Sequence, residues 1–305
     1  MKKISKLLLL PISLFPLLSG CGFIRKIKGN NDVDSINESV KSPVDILEFD
    51  AVSAYNAGVD VPMKITIEGN YNDDLDPLFY CLSGESNLLK HIKIETKDNK
   101  FSVKFDKGVR LDTAQPLSLS ICARNIKKLV TKGNDISIYS NCFYNSAELE
   151  AYDYSKVNFL MNFEFETLKA SVFNNSKIVF KDLTTTNLEL NADVASTIRT
   201  SIIQCASNIK VNCTNSSSVL PSRGSSHSID VNVDNNSKLD FECVKTDVAN
   251  ASITKSSEAI IYVQNKVTAK VLQLSDLYVY RDEDNKSLEV EKEVSDGSYF
   301  FIYIK

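Results

Sequence analysis

The residues in this chain that can do chemistry are few, and their spacing limits what that chemistry can be. Asp153, Asp193 and Asp234 each stand two or three positions before a Ser, about 40 residues apart, and form a carboxylate column if the chain is coiled at half that period. Paired acids on one face are what polysaccharide cleavage needs. Asn174 and Asn215 occupy the same phase, however, and a repeated polar corner explains the column as well as a catalytic site does. The two histidines, His91 and His227, have no Cys or second His at metal-ligand spacing, so no metal site and no cofactor are expected. His227 follows Pro221-Ser222-Arg223-Gly224-Ser225-Ser226, which reads as a loop with no orienting acid or nucleophile fixed beside it. No catalytic residue is assigned.

The seven cysteines divide into Cys21 and six later ones: Cys81, Cys122, Cys142, Cys205, Cys213 and Cys243. In an oxidising compartment the six can pair. Cys122 and Cys142 lie 20 residues apart. If that is one turn of a stack, their α-carbons are ~4.8 Å apart, within disulfide range, so Cys122–Cys142 is the candidate bridge. Two buried thiols in a ladder is the competing reading.

The elements that must position these residues are marked by a repeat. Asn134, Ser155, Ser176, Ser196, Ser217, Ser237, Ser257 and Ser275 are separated by steps of 21, 21, 20, 21, 20, 20 and 18. Two residues after them stand Ile136, Val157, Ile178, Ile198, Val219, Leu239, Ala259 and Leu277. A second apolar pair begins eight residues before most anchors, as in Leu188-x-Leu190 and Ile229-x-Val231. Each period therefore holds at least two short strands, with Asn and Asp clusters at the corner between them. A period near 20 defines a unit that buries its apolar face only against its neighbours. The expected fold is all-β, a parallel β-solenoid of about eight turns, ~40 Å long at 4.8 Å per rung. The anchor Ser hydroxyls are expected to stack near a corner and bond backbone. Before the repeat, alternating segments such as Met63-Lys64-Ile65-Thr66-Ile67 read as strands, and residues 92–105 as a hairpin around Asp98-Asn99. Helical periodicity is weak and centred on Leu82 to His91. After an Asp296-Gly297 turn, Ser298–Ile304 is apolar and β-prone, and reads as a cap strand or as an exposed edge.

At the amino terminus, Lys2, Lys3 and Lys6 precede the apolar run Leu7–Leu18, which is too short for a ~30 Å bilayer core and has the length of a signal-peptide core. Leu18-Ser19-Gly20-Cys21 resembles the lipobox of bacterial lipoproteins. That resemblance implies cleavage before Cys21, lipidation of Cys21, and attachment to a membrane through the lipid. Gly22 in place of Asp implies sorting to the outer membrane. Loss of residues 1–20 removes three lysines and no acid, taking the formal charge from −4 to −7. That balance argues against binding nucleic acid through its phosphates. The expected organisation is a signal peptide over 1–20, a lipidated flexible tether over 21–45, an N-terminal β region over 46–125, solenoid repeats over 126–282 and a C-terminal cap over 283–305.

Phe49-Asp50-Ala51-Val52-Ser53-Ala54 with Val59-Asp60-Val61, the Asp98-Asn99 turn before Phe101-Ser102-Val103, and Asn125–Leu129 with Gly133-Asn134-Asp135-Ile136 resemble the bacterial family called putative auto-transporter adhesin, head GIN domain. The likeness covers roughly residues 46–282, with Ser and Asn at corners where the family commonly has Gly. It implies a β-solenoid held at the cell envelope. Two functions fit: a non-catalytic adhesin-like, binding or scaffold protein whose partner is a surface protein or glycan, and a polysaccharide-processing enzyme on the same scaffold.

Overall fold

The computed structural model describes residues 25–51, 63–70, 72, 75–106, 109–113, 117–284, 287–295 and 297–305. The lipobox, Cys21, residues 52–61 of the family-like opening and Asp296 lie outside them.

The repeat region winds as a parallel solenoid. Strands β12 (Phe143–Tyr152), β13 (Lys156–Val172), β14 (Lys177–Ala192), β15 (Thr197–Thr214), β16 (Ser218–Pro221), β17 (Gly224–Asp234), β18 (Lys238–Thr254), β19 (Glu258–Val271), β20 (Asp276–Arg281), β21 (Glu289–Val294) and β22 (Tyr299–Ile304) pair only in parallel. The short strands expected from the repeat are fused. β13, β14 and β15 run for 17, 16 and 18 residues and change face without leaving the ladder. Register shifts, as between Phe159 and Asn162, mark the bends. Each turn thus has three paired segments: one at the Ser anchor, one before it, and a middle one such as Asn162–Phe165 against Asp182–Thr185.

The anchor-plus-two residues Ile136, Val157, Ile178, Ile198, Val219, Leu239, Ala259 and Leu277 are all buried, as are Leu188, Leu190, Ile229 and Val231 of the preceding segment. Phenyl rings fill the wider turns, with Phe159 stacked on Phe180 at 4.5 Å and edge-on to Phe163 at 4.9 Å. Such pairs add about 0.5–1.5 kcal/mol beyond area burial.

The corner is built from two consecutive residues at positive φ followed by the anchor: Asp153 and Tyr154, Asn174 and Asn175, Val194 and Ala195, Asn215 and Ser216, Asn235 and Asn236. Asn and Asp tolerate this conformation, whereas a β-branched residue such as Val194 is strained in it. The turn is held because its amides bond the next turn, as Asn175 N–H does to Val194 C=O at 2.9 Å. The anchor amide turns inward, and the hydroxyl of the next anchor accepts from it. Ser155 N–H donates to Ser176 Oγ at 3.2 Å, Ser176 to Ser196 at 3.2 Å, Ser196 to Ser217 at 3.1 Å and Ser217 to Ser237 at 3.2 Å. The series continues through Ser257 and Ser275 to Ser298, which lies beyond the repeats read from sequence.

The N-terminal half departs from expectation in three ways. First, the stack does not start at residue 126. β3 (Ile46–Asp50) and β4 (Met63–Gly69) pair in parallel with β10 (Ile126–Lys132) and β11 (Asp135–Ile138), forming the turn beneath them. β7 (Lys100–Phe105) and β9 (Leu117–Ala123) then lie beneath β3 and β4. Residues 46–69 are thus interleaved between two later segments, which hides their period. Second, the described part of the stretch read as a tether over 21–45, residues 25–45, holds two paired strands. β1 (Arg25–Lys28) joins β8 (Val109–Asp112), and β2 (Val33–Val40) joins β5 (Leu78–Glu85) in an antiparallel ladder. The buried Glu85 carboxylate accepts from the Asn31 amide at 2.7 Å and from Thr113 Oγ1 at 2.8 Å, which fastens this segment down. Third, the helical reading over 82–91 reduces to one turn, α1 (Ser86–Leu89), because β5 continues to Glu85. The hairpin holds: β6 (Ile92–Lys97) pairs antiparallel with β7. β5 pairs antiparallel with β9, so antiparallel strands cover the start of the stack.

Removing an anchor hydroxyl strands a buried amide, which costs about 1–3 kcal/mol. Ser217→Ala is therefore expected to lower urea-unfolding stability by that amount, while exposed Ser222→Ala changes it by less than about 0.5 kcal/mol. Equal effects would remove the anchor ladder from the stabilising interactions.

Candidate binding face

The segment preceding each anchor presents a continuous polar sheet. Its outward residues form two neighbouring columns. One runs Lys128, Glu148, Lys169, Glu189, Lys210, Asp230, Asn250, Thr268 and Glu291, and the other Glu150, Ser171, Asn191, Asn212, Asn232, Ser252, Lys270 and Glu293. The backbone between the columns floors a shallow groove of about 600 Å³ from Lys210 and Asn212 to Glu291 and Glu293. A second depression of about 360 Å³ follows on the same sheet, bounded by Glu148, Lys169, Asn191 and Phe173. The Phe173 ring stacks on Tyr152 at 4.8 Å.

The columns are cross-linked along the stack. Asn212 Nδ2 donates to Asn191 Oδ1 at 2.8 Å, Asn191 Nδ2 to Glu189 at 3.0 Å, and Asn250 Nδ2 to Asp230 at 2.8 Å. Lys128 pairs with Glu150 at 2.7 Å and Glu148 at 3.0 Å, and Lys270 with Glu293 at 3.1 Å. The Asn191 amide, with Lys169 beside it, holds Glu189 below the usual carboxylate range. Lys266 does the same to Glu291, and its own ammonium is pushed up to about 12, first by Glu291 and then by Glu289. These acids are kept ionised, the opposite of what a general acid for glycoside cleavage needs near neutral pH.

The acid column singled out from sequence is a corner. Asn174 Nδ2 donates to Asp153 at 2.8 Å, Asn215 Nδ2 and Thr214 Oγ1 to Asp193 at 2.6 and 2.7 Å, and Thr254 Oγ1 to Asp234 at 2.6 Å. Each carboxylate is thus consumed in joining one corner to the next. His227 corrects the loop reading: it lies within strand β17, and its Nδ1 is 2.9 Å from Asp247 on the adjacent turn, both exposed. Neighbouring Ser226 faces the interior, with its hydroxyl on Thr246 Oγ1 at 3.1 Å, so the three do not converge as nucleophile, base and orienting acid. His91 is half-buried and held at 3.1 Å by Asp106, which also pairs with Lys93 at 2.8 Å.

The Cys122–Cys142 bridge is not formed in this structure, where both are free thiols. Their 20-residue spacing is not one turn. Cys122 pairs with Glu68 of β4 and Phe79 of β5, while the Cys142 carbonyl accepts from Ile126 N–H. Burial pushes the Cys142 and Cys213 thiols up to about 12, so neither carries thiolate at neutral pH. Cys243 is exposed. No group of three or more His, Cys, Asp or Glu residues placed to hold a metal ion occurs among the described residues.

A parallel solenoid with a polar, ladder-bonded face is a class of protein that presents surfaces. Residues 81–282 match the family described as "Putative auto-transporter adhesin, head GIN domain", and the chain belongs to that family. The fold is shared with solved structures of low identity. A putative adhesin from Parabacteroides merdae ATCC 43184 has a TM-score of 0.62 and 14% identity, over 91% of this chain and 99% of that one. A putative lipid binding protein and a putative adhesin, both from Parabacteroides distasonis ATCC 8503, each have a TM-score of 0.60, with 13% and 15% identity, over 92% of this chain and 100% of theirs. No curated protein matches this sequence.

Thiol-reactive labelling of the native protein followed by peptide mass mapping is expected to modify Cys243 first. Cys142 and Cys213 should react only after unfolding. Early labelling of Cys142 would contradict its burial.

Proposed function

We propose that this chain is a non-catalytic, adhesin-like protein of the bacterial envelope, anchored by lipid on Cys21, and that its polar face holds an extended surface glycan. The single observation that carries this reading is the pair of Asn, Ser, Glu and Lys columns that recur over eight rungs and are covered only at Ser171. A chain of sugars presents hydroxyls that both donate and accept, and amide and carboxylate side chains repeated at ~4.8 Å offer partners of both kinds. The paired, ionised acids favour holding a glycan over cleaving one. The basic n-region, short apolar run and Leu18–Cys21 motif support anchoring and an outer-membrane address, and the family's adhesin name agrees with a surface role.

Binding of the full chain in detergent to an array of extended bacterial polysaccharides is expected to show retention that Asn212→Ala with Asn232→Ala weakens by about tenfold, a difference of 1.4 kcal/mol. Failure to retain any polysaccharide, or equal weakening by Ser222→Ala, would sink the glycan reading. In the producing bacterium, Cys21→Ser should abolish incorporation of a fatty-acid label and release the protein from the membrane fraction. Undiminished labelling would disprove the anchor.

A further inference from the structure

β22 is the last strand of the anchor column. It pairs in parallel with β20, from Asp276↔Tyr299 to Arg281↔Ile304, and with no other strand among the described residues. Its sequence, Tyr-Phe-Phe-Ile-Tyr-Ile, contains no charge, Pro or Gly. Elsewhere in the stack a strand is covered by the next turn, but here Tyr299 and Ile304 are each 57% exposed and Ile302 is 44% exposed. Phe301 stacks on Tyr278 and Tyr303 on Tyr280, both at 5.4 Å. One face of each ring is therefore covered and the other is free to receive another ring.

Soluble proteins blunt such edges with charges, often pointing inward. This chain does so at the other terminal strands of the stack. β21 carries Glu289, Glu291 and Glu293, and its Lys292 takes the core-facing register of Ala269 and lies 4.7 Å over the Phe300 ring. β2 carries Asp34 and Glu38, and β6 carries Lys93, Glu95 and Lys97. The bare edge is confined to β22.

The pattern of that edge selects its occupant. Outward Tyr299, Phe301 and Tyr303 are symmetric about Phe301, and so are inward Phe300 and Ile302. An antiparallel copy centred on Phe301 sets Tyr299 against Tyr303, Phe301 against Phe301, and Phe300 against Ile302. The strand starts above Asp276 and Glu258, the latter paired with Lys238, and ends beside Arg281 and Lys305, the latter paired with Glu242, so reversal brings Arg281 of each copy toward Asp276 of the other. A head-to-tail stack would instead set the uncharged strand on the charged β2 or β6. We propose that β22 is a two-fold homodimerisation edge, pairing antiparallel with β22 of a second copy. A closed two-fold contact of this kind ends growth of the stack at two molecules. The inference rests on the C-terminal turn alone and is independent of the glycan and lipid readings.

A six-residue edge is a small interface, so the dimer is expected to form with rising concentration rather than to be permanent. Sedimentation velocity of the full chain in detergent, over a concentration series, should show a monomer–dimer transition. Phe301→Lys should move its midpoint up by about tenfold or more, while Glu291→Lys on β21 leaves it in place. In a Cys243→Ser background, mild oxidation should cross-link Phe301→Cys to itself. Tyr299→Cys should cross-link only when mixed with Tyr303→Cys, because directly opposed residues of an antiparallel pair come within disulfide reach. Cross-linking keeps the test valid if Phe301→Lys unfolds the last turn, which circular dichroism would reveal. A protein monomeric at every concentration, a transition insensitive to Phe301→Lys, filaments in place of dimers, or equal cross-linking from Glu291→Cys would each overturn the proposal.

Discussion

The hydrogen bond from each buried anchor amide to the serine hydroxyl one turn on is the constraint on which the rest of this structure depends. A parallel coil must reverse direction once per turn, and here it does so with two residues in the left-handed region. That geometry turns the third amide into the core, where the hydroxyl of the next anchor meets it. A buried, unpaired N–H costs as much as a lost hydrogen bond. Ser supplies an acceptor small enough to sit at the corner without displacing the aliphatic residue two positions later. The bond also runs between turns rather than within one, so each corner fixes the height of its neighbour. At the first corner Asn134 replaces Ser, and its Nδ2 reaches Lys132 C=O at 2.8 Å and Phe49 C=O at 3.2 Å, tying the repeats to the interleaved turn below.

This ladder explains which parts of the fold were legible. The Ser and aliphatic period gave the number of turns and the buried columns because the same bond recurs at every corner. Ser298 escaped because the step from Ser275 is 23 residues, lengthened by the connection between β20 and β21. The turn made by β3 and β4 escaped for a topological reason. Its neighbours in space, β7 and β10, lie some fifty to eighty residues away in sequence, so no local period marks it. The pairing of β2 depends on β5 and on the buried Glu85, neither of which leaves a trace in the polar sequence of residues 25–40. The middle segment of each turn was obscured because one of its inward columns mixes Phe165, Thr185, Cys205, Ser226 and Thr246. Cys122 and Cys142 share a 20-residue spacing that is not one turn, because Cys122 lies in β9, two rungs beneath β11, with the interleaved β4 between them.

The surface follows from the same geometry. Any outward residue recurs at the rung spacing, so like side chains would stack, and like charges stacked at ~4.8 Å repel. The binding face avoids this by alternating Lys128, Glu148, Lys169, Glu189, Lys210 and Asp230, then turning to Asn250 and Thr268. Asn is well suited to such a column because its amide donates to the turn below and accepts from the turn above, as Asn191 does to Ser171 and from Asn212. A face satisfied in this way is stiff and stays hydrated at its margins. It suits repeated weak contacts along a polymer better than the focusing of charge on one bond.

The two ends of the stack are treated differently, and the difference is physical rather than incidental. At the start, antiparallel strands β2, β5 and β6 interrupt the parallel ladder and expose edges rich in charge. At the finish, the coil stops without a change of direction, and its inward columns simply end at Val290, Phe300 and Ile302. Lys292 guards one side by placing an ammonium where each earlier turn has Ala, Val or Leu. The ring columns of Tyr278 and Phe301, and of Tyr280 and Tyr303, extend the opposite side with no such guard. A solenoid gains stability per turn by covering the turn before it, so its final turn is always the least supported. Concentrating aromatic rings there raises the packing of β22 on β20 in place of a cap, and leaves an edge whose exposed chemistry matches its own.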